Sequence, residues 1–314
     1  MAVRVRPLAE GDLDESDRIL RLAFGTFIGL ADPMRMFGDS RIAHTRWHAN
    51  PEGAFAVELD GRLAGCSFVA KWGSVAVFGP IAVLPELWDR GLANHLLNAT
   101  VELLSRWGTR HAGLYTFSES AKHLALYQKF GFWPRFLTAV MTKQLAQSAS
   151  EAVYERFSTL DAAAKTATLG ECREVTGLIY DGLDLLAEIN AVDRQRLGET
   201  VLLRDGPQLA GFAVCHIGAG SEAGGNSCFV KFAVTRPGAN AARSFARLLD
   251  ACEALTLSRG VAKMTAGVST ARREAYSTLL ARRYRIEMTG VIMERGEDGG
   301  GYNRPGVYLI DDWR

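Results

Sequence analysis

The chain has 314 residues, 48% of them apolar and 23% charged, and a formal net charge of +1. That length suggests about two domains with a sizeable core, and the near-neutral balance gives no electrostatic case for a nucleic-acid or membrane partner. No apolar run approaches the ~18 residues of a membrane span, and the opening MAVRVRPL reads directly as a strand rather than a signal peptide, so a cytoplasmic location is expected.

In chain order, residues 3–6 predict a strand and 12–27 a helix with an apolar face at Leu13, Ile19, Leu22, Ala23 and Phe27. A second helix is expected over 35–48, stopped by Pro51-Glu52-Gly53. Strands at 55–59 and 63–71 flank Asp60-Gly61, a strong hairpin signal. The Val-, Phe- and Ile-rich stretch 75–83 reads as a buried strand that runs into the turn VLPELWDRGLAN, residues 83–94. Leu92, Leu96, Ala99, Leu103 and Trp107 then recur at steps of three and four, so a long helix opening at Asp89 or Arg90 packs one face on a sheet. Such a helix start aims its free N–H groups and positive dipole end at the turn, where Gly91 and Ala93 leave the backbone open to an anion. Beyond it come a strand at 111–117, a short helix at 120–130 closing in Tyr127-Gln-Lys-Phe-Gly131-Phe132, and a strand at 136–143.

This order of elements, with the Arg90-Gly91-Leu92-Ala93 turn and a Tyr four residues before Gly-Phe, resembles the GCN5-related N-acetyltransferase (GNAT) family over most of residues 1–145. The resemblance implies an α/β (α+β) fold with a mixed, mostly antiparallel sheet flanked by helices. It implies acetyl-CoA as co-substrate, no metal, and transfer of an acetyl group to a primary amine of a small molecule or a peptide. The turn's backbone from Trp88, Asp89, Arg90, Gly91, Leu92, Ala93 to Asn94 would hold the pyrophosphate. The strand end Ile81, Ala82, Val83 would pair with the pantetheine amides and offer N–H groups to the oxyanion. Tyr127 would protonate the departing thiolate. Trp88 and Asp89 replace the family's usual Arg or Gln and Gly, and Ser120 stands where an Asn is frequent, keeping one hydrogen-bond donor. A carboxylate at 89 costs phosphate affinity unless it turns away. Glu119 is the nearest carboxylate in sequence to the cleft and the candidate base; His111, His123 or a water chain could serve instead.

Residues 144–151, QLAQSASE, read as a linker, and the plan then repeats. Asp205-Gly206 forms a second hairpin signal, Phe229-Val-Lys-Phe-Ala-Val234 mirrors Phe78-Gly-Pro-Ile-Ala-Val83, and a second long helix ends at Gly260 as the first does at Gly108. We therefore expect tandem copies of one fold: a catalytic domain at 1–145 and a degenerate one at 151–314. Ala241-Ala242-Arg243-Ser244 is matched to Arg90-Gly91-Leu92-Ala93, which removes the phosphate turn from the second copy. Residues 307–310 are expected to add a strand to a sheet edge. The five cysteines (66, 172, 215, 228, 252) form no CxxC pair and read as reduced, buried thiols. His44 and His48 lack the Glu of an HExxH motif, and the glycine-rich stretch 218–225 lies between strands and opens no helix, so neither marks a metal or dinucleotide site. The chain is expected to be a monomer or homodimer. The alternative to an enzyme is a non-catalytic acetyl-CoA-binding sensor or interaction protein, motivated by Trp88, Asp89 and Ser120.

Overall fold

The computed structural model describes residues 2–146, 152–296 and 301–314. The expected linker at 144–151 falls largely outside them. Strand β1 (Val3–Pro7) leads into α1 (Leu13–Phe27), which buries Leu13, Ile19, Leu20 and Ala23 and carries Asp14 and Glu15 in its first turn, where acidic groups suit the helix dipole. Helix α2 is shorter than expected, Ile42–Ala49. Its missing turns are excluded by left-handed backbone at Phe37 (φ 65°) and Gly38 (φ 55°), which no α-helix can contain. Strands β2 (Ala54–Leu59) and β3 (Arg62–Trp72) join through Asp60 and Gly61, both at positive φ as a two-residue hairpin requires.

Strand β4 (Val75–Val83) precedes α3 (Leu92–Arg106), which begins later than the pattern predicts because Asp89 (φ 64°) and Gly91 (φ 79°) are left-handed. Then follow β5 (His111–Thr116), α4 (Ala121–Gln128) and β6 (Trp133–Gln144). The second half repeats the order: β7 (Glu155–Arg156), α5 (Ala162–Gly177), α6 (Leu186–Gln195), β8 (Gly198–Asp205), β9 (Gln208–Gly218), β10 (Gly224–Thr235), α7 (Ala241–Ser258), β11 (Lys263–Ser269), α8 (Arg273–Ala281) and β12 (Arg285–Arg295), with β13 (Leu309–Ile310) after it.

The two halves share one sheet, ordered β1-β2-β3-β4-β5-β12-β6-β11-β10-β9-β8-β7 among the described residues. The last strands are exchanged. β12 of the second half lies antiparallel on β5 of the first, and β6 of the first half lies antiparallel on β11 of the second. The exchanged strands also pair with each other, Thr138 opposite Gly290 and Phe136 opposite Ile292. Gly290 is small because the Tyr115 ring of β5 crosses it: a Cβ there would lie 2.3 Å from Tyr115 Cζ.

Four apolar clusters fill the layers. In the first half, α3 and α4 cover one face through Leu92, Leu96, Leu103 and Tyr127, with Phe132 after α4 beside them, and α1 and α2 cover the other. In the second half, α7 and α8 pack on one face with Ala139 and Met141 of β6 among them. The remaining cluster joins the halves, setting Trp72, Val75 and Val77 against Val175, Ile189, Phe212 and Phe232. Burying each such side chain contributes about 1.5–3 kcal/mol, so this seam alone is a substantial core. All five cysteines are free and buried, as their apolar settings predict.

Candidate active site in the N-terminal half

Parallel strands can be held side by side only while their ladder lasts, and β4 pairs with β5 only at Val75–Val77 opposite His111–Gly113. Beyond Val77 the strands part. Ile81, Ala82 and Val83 still pair with Ser67, Cys66 and Gly65 of β3, so one edge of β4 is satisfied and the other faces the gap. The gap leads to the turn before α3. No side chain caps that helix; its N-cap is Gly91 itself, and a Cβ there would meet only Asn94 Nδ2 at 3.5 Å. Asp89, Arg90 and Gly91 are exposed, whereas Leu92 is buried and anchors the helix. An uncapped helix start beside left-handed glycine is a concave set of N–H donors suited to phosphate oxygens.

Trp88 turns inward and its indole N–H donates to the Val83 carbonyl at 2.8 Å, tying the turn to the end of β4. Asp89 points across the gap to Lys122 Nζ at 2.5 Å, and Lys122 also lies over the Trp88 ring at 6.0 Å. The Asn94 side chain donates back to the Gly91 carbonyl at 3.2 Å. Ser120 is the N-cap of α4, its hydroxyl oxygen accepting from the His123 N–H at 3.4 Å.

Tyr127 sits in the last turn of α4, 6% exposed, edge-on to Phe78 of β4 at 6.1 Å. Burial pushes its phenol far above the ordinary value, so it is a proton holder throughout the neutral range. One helical turn back, the His123 ring stacks on it at 6.4 Å and 23°. Desolvation, then the charge of Lys122, lowers the His123 pKa, which leaves a neutral imidazole at pH 7. Phe27 of α1 meets both His123 (4.9 Å) and Phe117 (4.8 Å), walling this side of the gap with apolar rings. Glu119 is exposed, touched by the Ser118 hydroxyl at 3.3 Å. His111 lies elsewhere, buried at the seam among Tyr180, Tyr302 and Trp313, and takes no part in the gap. His44 is likewise structural, bonded to Asp17 at 2.8 Å.

The second half has the same parting of strands, β10 leaving β11 after Val230 opposite Ala266. Its connection to α7 is shorter, residues 236–240 against 84–91 in the first half. Counted from the helix starts, Ala239-Asn240 therefore correspond to Arg90-Gly91, which corrects the register expected from sequence. Its gap is also filled. β13 adds not to a sheet edge but to β10 within the gap, Leu309 opposite Val234 and Ile310 opposite Ala233. Asp311 then pairs with Arg272, the N-cap of α8, at 2.6 Å with both side chains fully buried. An edge was expected because apolar content alone does not say which unpaired edge a terminal strand takes; the acids at 311 and 312 between apolar neighbours were the available signal.

Two mixed half-sheets, each with a parted pair of parallel strands at its centre, define an α/β fold of the acyl-CoA N-acyltransferase type, present in tandem. Residues 19–132, within the first half, match the Acetyltransferase (GNAT) family model. A mycothiol acetyltransferase of Clavibacter michiganensis subsp. michiganensis is 34% identical over 94 residues, which span 30% of this chain and 30% of that relative. Among solved structures, a putative acetyltransferase from Pyrococcus horikoshii aligns over 99% of this chain and 95% of its own, with TM-score 0.72 and 13% identity. A tandem GNAT protein from the clavulanic acid biosynthesis pathway aligns over 93% of this chain and 98% of its own, with TM-score 0.59 and 12% identity. Among the described residues no helix is long and apolar enough to cross a membrane.

Proposed function

We propose that the chain is an acetyl-CoA-dependent N-acetyltransferase with one active site, in the gap between β4 and β5, acting on a primary amine of a small molecule or peptide. On this reading residues 1–145 carry the chemistry, and 151–314 form a second, non-catalytic copy that lends β12 to the first. The observation that carries it is the juxtaposition of an uncapped helix start, an open β4 edge and a buried, protonated Tyr127 around one gap.

The residues divide the work as follows. N–H groups from Trp88 to Asn94 bind the pyrophosphate, and the open edge along Ile81, Ala82 and Val83 aligns the pantetheine amides as an added strand would. A free N–H on that edge stabilises the oxyanion as the amine attacks the thioester carbonyl, an effect typically worth about 3 kcal/mol per donor. The ammonium must first lose a proton, which passes to Glu119 through water or to neutral His123. As the carbon–sulfur bond breaks, Tyr127 gives its proton to the thiolate, and it regains one from solvent or His123. The net reaction releases one proton per ammonium acetylated, so the books balance without a further reactant.

The test is thiol release from acetyl-CoA with a panel of amines, alongside calorimetry of CoA binding. Turnover that falls on Tyr127→Phe supports the enzyme. Binding with no turnover on any amine, unaffected by that substitution, would leave the sensor reading in its place.

A further inference from the structure

The glycine-rich stretch 218–225, which suggests no site in the sequence, forms the β9–β10 hairpin and grips the first half. The Gly220 N–H donates to the Asp39 carbonyl at 3.0 Å, the Arg41 N–H donates to the Gly220 carbonyl at 3.4 Å, and the Gly225 N–H donates to Asp39 Oδ1 at 2.9 Å. The approach is close enough to need glycine: a Cβ at Gly224 or Gly225 would lie 2.8 Å from an Asp39 carboxylate oxygen. Docked in this way, the hairpin delivers one charged side chain, Glu222, into the seam, where its side chain is 4% exposed.

Glu222 Oε2 accepts from Arg46 Nη2 of α2 at 2.9 Å, and its Oε1 accepts from Lys231 Nζ at 2.7 Å. Lys231 also reaches Glu188 at 2.8 Å. Burial alone would raise the Glu222 carboxyl, but Arg46 and Lys231 outweigh it and hold the group ionised. Arg46 is thereby fixed in direction, and its other nitrogen, Nη1, donates to the Gly79 carbonyl. Gly79 lies two residues past Val77, the point where β4 leaves β5, and two before Ile81. The same guanidinium bonds the main-chain oxygen of Arg314, so hairpin, tail and catalytic strand meet on one side chain.

We propose that this hairpin is a positioning element for the first half's reaction: Glu222 orients Arg46, and Arg46 sets the Gly79 carbonyl and with it the open β4 edge that holds the donor thioester. The second copy then has a task in catalysis without a site of its own. The proposal rests on the acetyl-transfer reading, and its test separates the two.

In the full chain, Glu222→Gln, Arg46→Met and the double variant are compared for kcat, acetyl-CoA KM and Kd, melting temperature, and hydrogen exchange of the 78–84 peptide. Asp39→Ala loosens the hairpin without altering Arg46, Glu222 or Lys231. Each single charge variant should lower kcat about 10- to 100-fold, the scale of an ångström's misplacement, with Kd within about twofold. The double should be no worse than the worse single, because the pair acts as a unit. Exchange at 78–84 should quicken about tenfold while α3 stays protected, and Asp39→Ala should move the same readouts less far. Unchanged kcat and exchange in folded variants overturn the proposal, as do additive losses with exchange raised evenly along the chain, the mark of a merely structural seam. If the wild type acetylates no amine, the transfer reading fails, and the exchange at 78–84 alone decides whether Arg46 and Glu222 hold the strand.

Discussion

Lys122 and Asp89 form an ion pair at 2.5 Å that bridges the first turn of α4 to the turn before α3. It answers the objection that Asp89 raises: the carboxylate is drawn across the gap, away from the helix N-terminus. Both side chains are well exposed, so the pair is a weak, screened contact rather than a structural one. Asp89→Asn keeps a residue that tolerates φ 64° and frees Lys122 for a phosphate. CoA should bind several-fold tighter to this variant at low salt by calorimetry, with the gain shrinking at 0.5 M salt. Weaker binding would mean that the aspartate supports the site instead.

Gly91→Glu should abolish CoA binding and leave the chain folded. The substitution puts a carboxylate at the helix start and forces a side chain onto φ 79°, at a cost of about 1–2 kcal/mol to a fold whose neighbouring space is otherwise open. Gly91→Ala carries the strain without the charge and serves as control. Calorimetry and a melting curve separate the two effects, and unchanged affinity in Gly91→Glu removes the pyrophosphate from this turn.

Tyr127→Phe should reduce kcat about 100-fold while leaving Kd for CoA unchanged. The phenol also carries a pH signature in stability. Its folded pKa is raised by burial, so its contribution is present in full below the unfolded value of about 10 and is lost as pH climbs from there toward the folded value. Wild type should lose stability toward Tyr127→Phe above pH 10 in urea titrations, and the two curves should run parallel below it. Parallel curves at every pH would place the hydroxyl in solvent.

Each chain should bind one CoA, because the second gap holds β13. Asp311 also accepts from Trp313 Nε1 at 3.0 Å, and the Trp313 ring lies where a Cβ on Gly113 would be, 1.8 Å from its nearest carbon. Asp311→Asn strands a buried guanidinium and should cost about 3–5 kcal/mol, read as a lowered urea midpoint. A stoichiometry of two in the wild type would show that the tail yields to ligand.

Local patterning made the elements of both halves legible, since period-2 and period-3.6 runs fix strands and helices wherever one face is buried. The Asp-Gly hairpins, β4, α3 and Tyr127 on α4 all lie where the pattern puts them. What was illegible is non-local. Nothing in the apolar face of Trp133–Gln144 says which β strand it will pair with, and the identical plan of two copies makes either partner sheet acceptable. The start of α3, expected at Asp89 or Arg90, falls at Leu92 because a left-handed residue such as Asp89 carries no sequence mark when it is not glycine, and the second-half register was misjudged because the connection before α7 is shorter. Arg46 drew no notice, being one arginine among many; only its reach to Glu222, 176 residues on, gives it meaning.

The strand exchange makes a last outcome calculable. β5 has no first-half partner beyond Gly113; its outer edge, from Ala112 to Thr116, is paired by Arg295 to Val291 of β12. β6 in turn buries Ala139 and Met141 in the core of the second half. A fragment ending at residue 146 would expose both the β5 edge and an apolar β6, an aggregation hazard, and should be insoluble alone. Co-expressed with a fragment beginning at residue 152, it should be rescued, because the break falls outside every described strand and each piece supplies the strand the other lacks. Co-purification of the two pieces, with the CoA affinity of the intact chain, is the expected result. A soluble, CoA-binding first fragment on its own would mean that β6 can fold back onto β5, and that the exchange is one of two nearly equal arrangements.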